Sequence, residues 1–352
     1  MTQLTKESEV FFARLNKTAK LFDALKIGFI GENSLVALKI HFGEMGNKAY
    51  LKPDTVKPII EKVKALKCLP FLTDANTLYK GTRGDAVNHT QTAFKHGYDI
   101  GSLGVPVIIA DGLTGKESVQ VKVDKKHFKE VKIAAAAVHA DSMIVLTHFK
   151  GHELTGFGGS LKNIGMGLGC RAGKQTMHAD VQPQVNGEKC TACGTCVKWC
   201  PTSAITLMSG KKAKIDQKKC IGCGECIASC NFGAIAVSWA GSSDSVQEKM
   251  VEYFYGVWKD KKGKMAFFNF LMDISPNCDC YAWNDKPVTP DIGVLASYDA
   301  VAIDQASVDM VNIATGSKDK FREIYPTIDW SVQLRYAESL GIGTRKYKLT
   351  EI

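Results

Sequence analysis

Short apolar runs bounded by turn residues alternate along this chain with amphipathic stretches of helical period. The first strands are expected at residues 9–14, 35–41, 70–73, 107–110 and 143–146, and the helices between them at 19–25, 57–66 (after Pro53) and 86–95, the last ended by Gly97. The runs at 107–110 and 143–146 are too short and too apolar for surface strands, which suits a sheet buried on both faces. The pattern resumes late in the chain, with a helix at 246–258, a strand at 265–272 (M-A-F-F-N-F-L-M), a strand at 292–296 and a helix at 304–313. Such alternation predicts an α/β fold with a largely parallel sheet. In between, 205–208 and 214–216 read as a hairpin turning at Ser209-Gly210. The expected organisation is one discontinuous α/β domain, residues 1–182 plus 242–352, interrupted by a small α+β insert at 183–241. Two separate α/β domains flanking the insert are the alternative.

The insert carries the clearest chemistry. Residues 190–201 read C-T-A-C-G-T-C-V-K-W-C-P and residues 220–231 read C-I-G-C-G-E-C-I-A-S-C-N, two copies of C-x2-C-x2-C-x3-C related by a shift of thirty residues. The same shift maps Ala204-Ile205 onto Ala234-Ile235, so the repeated unit is larger than its cysteines. Gly194, Gly222 and Gly224 supply the backbone freedom that a chain wrapped around a cluster needs. Two zinc sites or a disulfide framework are the competing readings. Zinc sites more commonly use paired ligands, and disulfides suit secreted chains. The arrangement resembles the bacterial two-cluster ferredoxin, in which the fourth cysteine of each run serves the other cluster. That resemblance implies one 4Fe–4S cluster on Cys190, Cys193, Cys196 and Cys230, and a second on Cys220, Cys223, Cys226 and Cys200. Asn231 stands where the ferredoxin pattern has proline, which alters packing without removing a ligand.

Composition adds bounds. The 352 residues, 45% hydrophobic and 23% charged, are ordinary for a globular protein and far exceed what the insert explains. No apolar run is long enough to span a membrane, and the first thirty residues lack a signal core, so no membrane partner and a cytoplasmic location are expected. The net charge of +9 comes from scattered lysines (for example Lys122, Lys125, Lys126, Lys129 and Lys132) without interleaved aromatics, which reads first as solvated surface lysine. Attraction of an acidic redox partner comes second and nucleic acid last; a redox partner protein or a small anionic substrate is the expected partner.

Several predicted strands end in reactive residue types: His41 with Glu44, Asp74 with Asn76, Asp111, His148, Asp273 and Asp299. Each alone is explained by turn chemistry. As a set they suggest a ligand site outside the carboxyl ends of a parallel sheet. The densest segment is T-H-F-K-G-H-E-L-T-G-F-G-G-S-L-K-N-I-G-M-G-L-G-C-R-A-G-K, residues 147–174, followed by Met177-His178. It offers His148, His152, Lys162 and His178 as catalytic candidates. His41, Lys150, Gly158, Gly159, Ser160 and Lys174 are candidates for binding an anion, with a helix start at Ser160 whose free amides could seat it. Neither a Walker loop nor an H-E-x-x-H helix fits, since Gln175 follows Gly173-Lys174 and Gly151 lies between the histidines. The plain alternative is glycines for close packing and satisfied surface histidines. Of the remaining cysteines, Cys68 reads as an apolar core residue, Cys170 could face the site, and Cys278 with Cys280 could share an extra metal.

The runs H-F-K-G-H-E-L-T-G-F-G-G-S-L-K-N-I-G-M-G, D-I-S-P-N-C-D-C and P-D-I-G-V-L-A-S-Y-D-A-V-A-I-D resemble a family that joins domain of unknown function 362 to a two-cluster ferredoxin module. The resemblance covers nearly the whole chain and implies cluster binding and a shared fold, with no reaction attached. A looser likeness to the N-terminal domain of lactate racemase carries no residues over. The leading expectation is an iron–sulfur oxidoreductase relaying electrons from two 4Fe–4S clusters to an anionic substrate or metal site. A ferredoxin-type electron-transfer protein that only docks a partner is the alternative. A metal-handling protein using Cys170, Cys278 and Cys280 is the third.

Overall fold

The apolar runs become strands β1 (Ser8–Ala13), β2 (Leu35–Lys39), β3 (Leu69–Asp74), β4 (Val107–Ile109), β5 (Ser118–Lys122), β6 (Glu130–Ala134), β7 (Ser142–His148), β8 (Lys150–His152), β9 (Gly156–Gly158), β10 (Ile205–Leu207), β11 (Ala213–Ile215), β12 (Met265–Leu271), β13 (Gly293–Ser297) and β14 (Tyr347–Glu351). The structure, a computed structural model, describes residues 7–79, 81–178, 183–200, 202–207, 212–220, 226, 230, 232–235 and 243–352. The predicted turn at Ser209-Gly210, the loop holding Gly222, Cys223 and Gly224, Asn231 and the carboxyl end of the insert (236–241) lie outside the described residues.

Eight strands form one sheet in the order β14-β1-β13-β12-β7-β2-β3-β4. Strands β12, β7, β2, β3 and β4 run parallel, and β13 is antiparallel to both β12 and β1. Strands from both sides of the cysteine segment therefore share one sheet, the α/β class expected from the alternation. Successive residues of β7 go to opposite faces: Met143 and Val145 pack into one core, Ile144 and Leu146 into the other. On one face lie the helices Thr18–Leu25 and Pro53–Lys64; on the other lie Ser160–Gly165, Ser243–Trp258 and Ala300–Thr315. Burial on both faces explains why β7 and β12 read as unbroken apolar runs rather than alternating ones.

The chain leaves β2 toward β3 and β4 in one direction and leaves β7 toward β12 and β13 in the other. The topological switch point thus falls between β2 and β7, where an open α/β sheet forms its crevice. Local details differ from the periodicity. The helix predicted at 57–66 starts at Pro53, because proline fits the first helical turn, where its missing N–H costs nothing. The helix predicted at 304–313 starts at Ala300, capped by the Asp299 carboxylate on the amides of Val301 and Ala302. Asp299 is thus a helix cap rather than a site residue. The lysine-rich stretch around residue 125 belongs to the β5–β6 hairpin, whose half-exposed strands carry too few apolar residues to register as strands.

Candidate functional site

A cavity of about 860 Å³ opens at the carboxyl ends of β2, β3 and β7. Most of the predicted site residues line it: His41, His148, Lys150, His152, Gly158, Gly159, Lys162, Lys174, His178, Cys278 and Cys280. Residues more than two hundred positions apart meet here because the parallel strands point their ends to one side.

The floor is an ionic network. Lys39, fully buried, bonds the carboxylate of Asp74 at 3.0 Å and the Oδ1 of Asn163 at 2.7 Å. Burial lowers its pKa to about 8, and Asp74 opposes that fall. Arg83, also buried, reaches Glu44 at 3.3 Å, Asp74 at 3.5 Å and the Nε2 of His41 at 3.0 Å. Burial and the Arg83 guanidinium hold His41 well below the usual histidine range, so its ring is neutral. The sequence offered no sign of Arg83, which sits in a glycine-rich loop without periodicity.

The wall opposite is built by residues 148–152 packed against the segment 276–280. His148 places Nδ1 2.8 Å from the Oδ2 of Asp279 and Nε2 2.8 Å from the carbonyl of Met272. Both nitrogens face oxygen acceptors, so His148 positions Asp279 and leaves no nitrogen for a ligand. Lys150 is likewise engaged, 3.2 Å from the same Asp279 oxygen and 2.9 Å from the His148 carbonyl. Gly151 allows the two segments to touch: a Cβ there would lie 2.1 Å from the carbonyl oxygen of Pro276. Lys150–His152 form the short strand β8, so the two histidines do not share a helix.

With Asp279 anchored, its neighbours Cys278 and Cys280 face the cavity beside His152. One donor atom from each of these three residues lies within 4.8 Å of the other two. The Lys162 ammonium stands 3.7 Å from the Cys278 sulfur. A hydrogen bond from Cys280, the charge of Lys162 and contact with His152 hold the Cys278 thiol well below its usual range, against the effect of burial; Cys280 is pushed up by its bond to Cys278. The Leu154 N–H donates to Nδ1 of His152 at 3.2 Å.

Two predicted roles change. The amides of Ser160 and Leu161 bond the Asp304 carboxylate at 2.7 and 2.9 Å, and the Ser160 hydroxyl bonds Asn269 at 2.8 Å, so the helix start expected to seat an anion is filled by the chain's own aspartate. Gly159 serves that packing, since a Cβ would lie 2.3 Å from Asp304. Cys170 is buried and is not among the residues lining the cavity. Cations remain nonetheless. Lys174, buried and depressed by that burial, bonds the main-chain carbonyls of Gly167 at 3.2 Å and Gly169 at 2.6 Å. Burial, with His152, Lys162 and Lys174 nearby, brings the His178 pKa to about 3.

The cysteine segment abuts this cavity. Cys190, Cys193, Cys196 and Cys230 line one small hollow with Leu207, Ala213 and Phe232. The thirty-residue repeat is visible in its hydrogen bonds: Ala204 N–H donates to Cys200 Sγ at 3.2 Å and Ala234 N–H to Cys230 Sγ at 3.3 Å. Likewise Cys190 N–H donates to the Asn186 carbonyl and Cys220 N–H to that of Asp216. Of the second set, Cys200, Cys220 and Cys226 are among the described residues, and Cys223 lies outside them. Leu78 packs among Cys190, Cys196 and Cys226 and also lines the large cavity.

A family model, the domain of unknown function DUF362, matches residues 36–309, well over half of the chain. The chain belongs to the DUF362 family. No curated protein matches it. Among solved structures, the lactate racemase apoprotein from Thermoanaerobacterium thermosaccharolyticum is similar at 13% identity and a TM-score of 0.38, over 76% of this chain and 51% of that one. A structural-genomics protein from Thermotoga maritima is similar at 11% identity and a TM-score of 0.40, over 86% of this chain and 58% of that one. The DUF362 chain thus spans about half the length of these structures. No helix among its described residues is long and apolar enough to cross a membrane.

Proposed function

We propose that this DUF362 protein is an iron–sulfur oxidoreductase in which two 4Fe–4S clusters, held by Cys190, Cys193, Cys196 and Cys230 and by Cys220, Cys223, Cys226 and Cys200, supply single electrons to chemistry in the large cavity. The observation that carries the reading is Leu78, one side chain that belongs both to the cysteine core and to the cavity wall. The donor set suits a cluster: four thiols face one hollow, and main-chain amides point at the sulfurs of Cys190, Cys200 and Cys230, the kind of contact that tunes a cluster's potential.

In the cavity, Lys162 and Lys174 stabilise the negative charge of an anionic substrate as it gains electrons. The proton that follows is handed on by a histidine of the cavity wall, which His152 and His178 both line. His148 leaves the proton-transfer role expected from its sequence position and orients Asp279 instead. Electrons enter from a protein partner at the exposed rim of Cys193, Leu207 and Phe232.

The test is anaerobic reconstitution with iron and sulfide, followed by reduction and titration with small carboxylates and oxyanions. About eight irons per chain are expected, falling when Cys190, Cys193 and Cys196 are changed to serine. Lys162→Ala and Lys174→Ala should abolish anion-dependent reoxidation with iron content unchanged. Iron binding indifferent to the cysteine changes would sink the cluster assignment. Intact clusters with no anion response in the parent chain would instead favour a pure electron-transfer protein.

A further inference from the structure

We propose that His152, Cys278 and Cys280 bind a single divalent cation of the zinc class, with a fourth coordination position open to the cavity. This goes beyond the electron-transfer reading and does not depend on it.

The geometry supplies what a mononuclear site requires. Three residues of types that bind zinc each bring one donor atom within 4.8 Å of the other two, close enough to surround one ion. Cysteine and histidine donors select thiophilic metals over magnesium or calcium, which need oxygen cages. His152 contributes one ring nitrogen to that three-donor set.

The supporting shell is equally defined. Asp279, between the two cysteines, is fully buried and bonded to His148 and Lys150, while its carbonyl accepts the Glu44 amide at 2.9 Å. Three distant elements therefore lock the turn that presents both sulfurs to one side. Ordering of this kind suits ligands held ready for an ion more than cysteines that only fill space.

Three protein ligands with the fourth corner open is the arrangement of a catalytic rather than a structural zinc site. Both cysteines and His152 line the large cavity, so an exogenous ligand can reach that corner. Two thiolates neutralise the dication, and Lys162 beside Cys278 adds a positive charge at the edge of the open position. The fourth ligand should accordingly be small and anionic, a carboxylate or alkoxide whose oxygen the metal polarises.

Cobalt(II) is the probe. The full chain, reconstituted with iron, is titrated with Co2+ and read by the ligand-field bands of tetrahedral thiolate coordination. The unmodified chain should take up one equivalent that Zn2+ displaces. The Cys278→Ser/Cys280→Ser chain should take up none, with unchanged iron content and thermal stability. Asp279→Asn, which keeps all three ligands, should weaken binding on the order of 10–100-fold. X-ray absorption of the zinc form should find two sulfurs at about 2.3 Å and one nitrogen at about 2.0 Å. If the double variant fails to fold, His152→Ala gives the same reading through loss of the nitrogen. Equal cobalt uptake in the parent and the double variant overturns the proposal, as does recovery of Cys278 and Cys280 as a disulfide with no bound metal under reducing conditions. Should the clusters fail to form, the free cluster cysteines are common to all variants, and the difference between chains still reports this site alone.

Discussion

The ammonium of Lys162 lies 3.7 Å from the sulfur of Cys278, across 116 positions of sequence. Each charge makes the other tolerable in a buried setting. The pKa of Lys162 is raised above its usual value even though burial pulls it down, because Cys278 and Cys280 stand beside it. The pairing makes Cys278 the anionic sulfur and leaves the proton with Cys280.

Removing the cation should therefore raise the Cys278 thiol pKa. In metal-free Lys162→Met, the pH profile for alkylation of Cys278, followed by peptide mass spectrometry, should move to higher pH. At neutral pH the rate should fall roughly tenfold for each pH unit by which the profile moves. An unchanged profile would separate Lys162 from the thiolate.

His89 should make the protein acid-sensitive. It is fully buried against Asn76 and Asp74, and burial brings its pKa to about 3 from an ordinary 6.5. A depressed pKa contributes stability that is present above the unfolded value, near 6.5, and lost as pH falls toward 3. Urea midpoints of the parent should thus drop over that window, and His89→Gln should show a shallower decline. A variant as acid-sensitive as its parent would assign the loss to other groups.

Gly151→Ala tests the contact that brings the two walls of the site together. With a Cβ 2.1 Å from the Pro276 carbonyl, the backbone must move, at a cost of about 1–3 kcal/mol. A lower melting temperature is expected together with weaker cobalt binding, because the displaced segment carries both cysteines. Retention of parental metal affinity at reduced stability would show that the contact serves packing only.

Asp304→Ala should uncap the helix that starts at Ser160. Two helix amides and the Asn269 side chain lose their acceptor, and capping losses run to about 2 kcal/mol before the buried amide is counted. The urea midpoint should fall. If added sulfate or phosphate instead restored stability, the vacated helix start would be an anion seat after all.

Much of the architecture was legible because strands buried on both faces need continuous apolar runs and their helices need a 3.6-residue period. His41, Asp74 and His148 could be picked out as strand-end residues for that reason. The same logic also picked Asp299, which caps a helix and bonds Ser8 and Thr344, because aspartate caps and aspartate ligands look alike in sequence. The β5–β6 hairpin was missed because its exposed strands carry little hydrophobic signal.

By itself, the sequence determined the α/β class, the thirty-residue cysteine repeat and the reactive residue types of segment 147–178, since periodicity and ligand spacing are local properties. Only the tertiary structure decided how those residues are used. His148 meets Asp279 across 131 positions and loses both ring nitrogens to hydrogen bonds. Arg83 is drawn from a featureless loop into the ionic floor, and Asp304 fills the helix start that seemed open to an anion. Which polar groups satisfy one another inside a fold depends on contacts between distant segments, and no spacing along the chain encodes them.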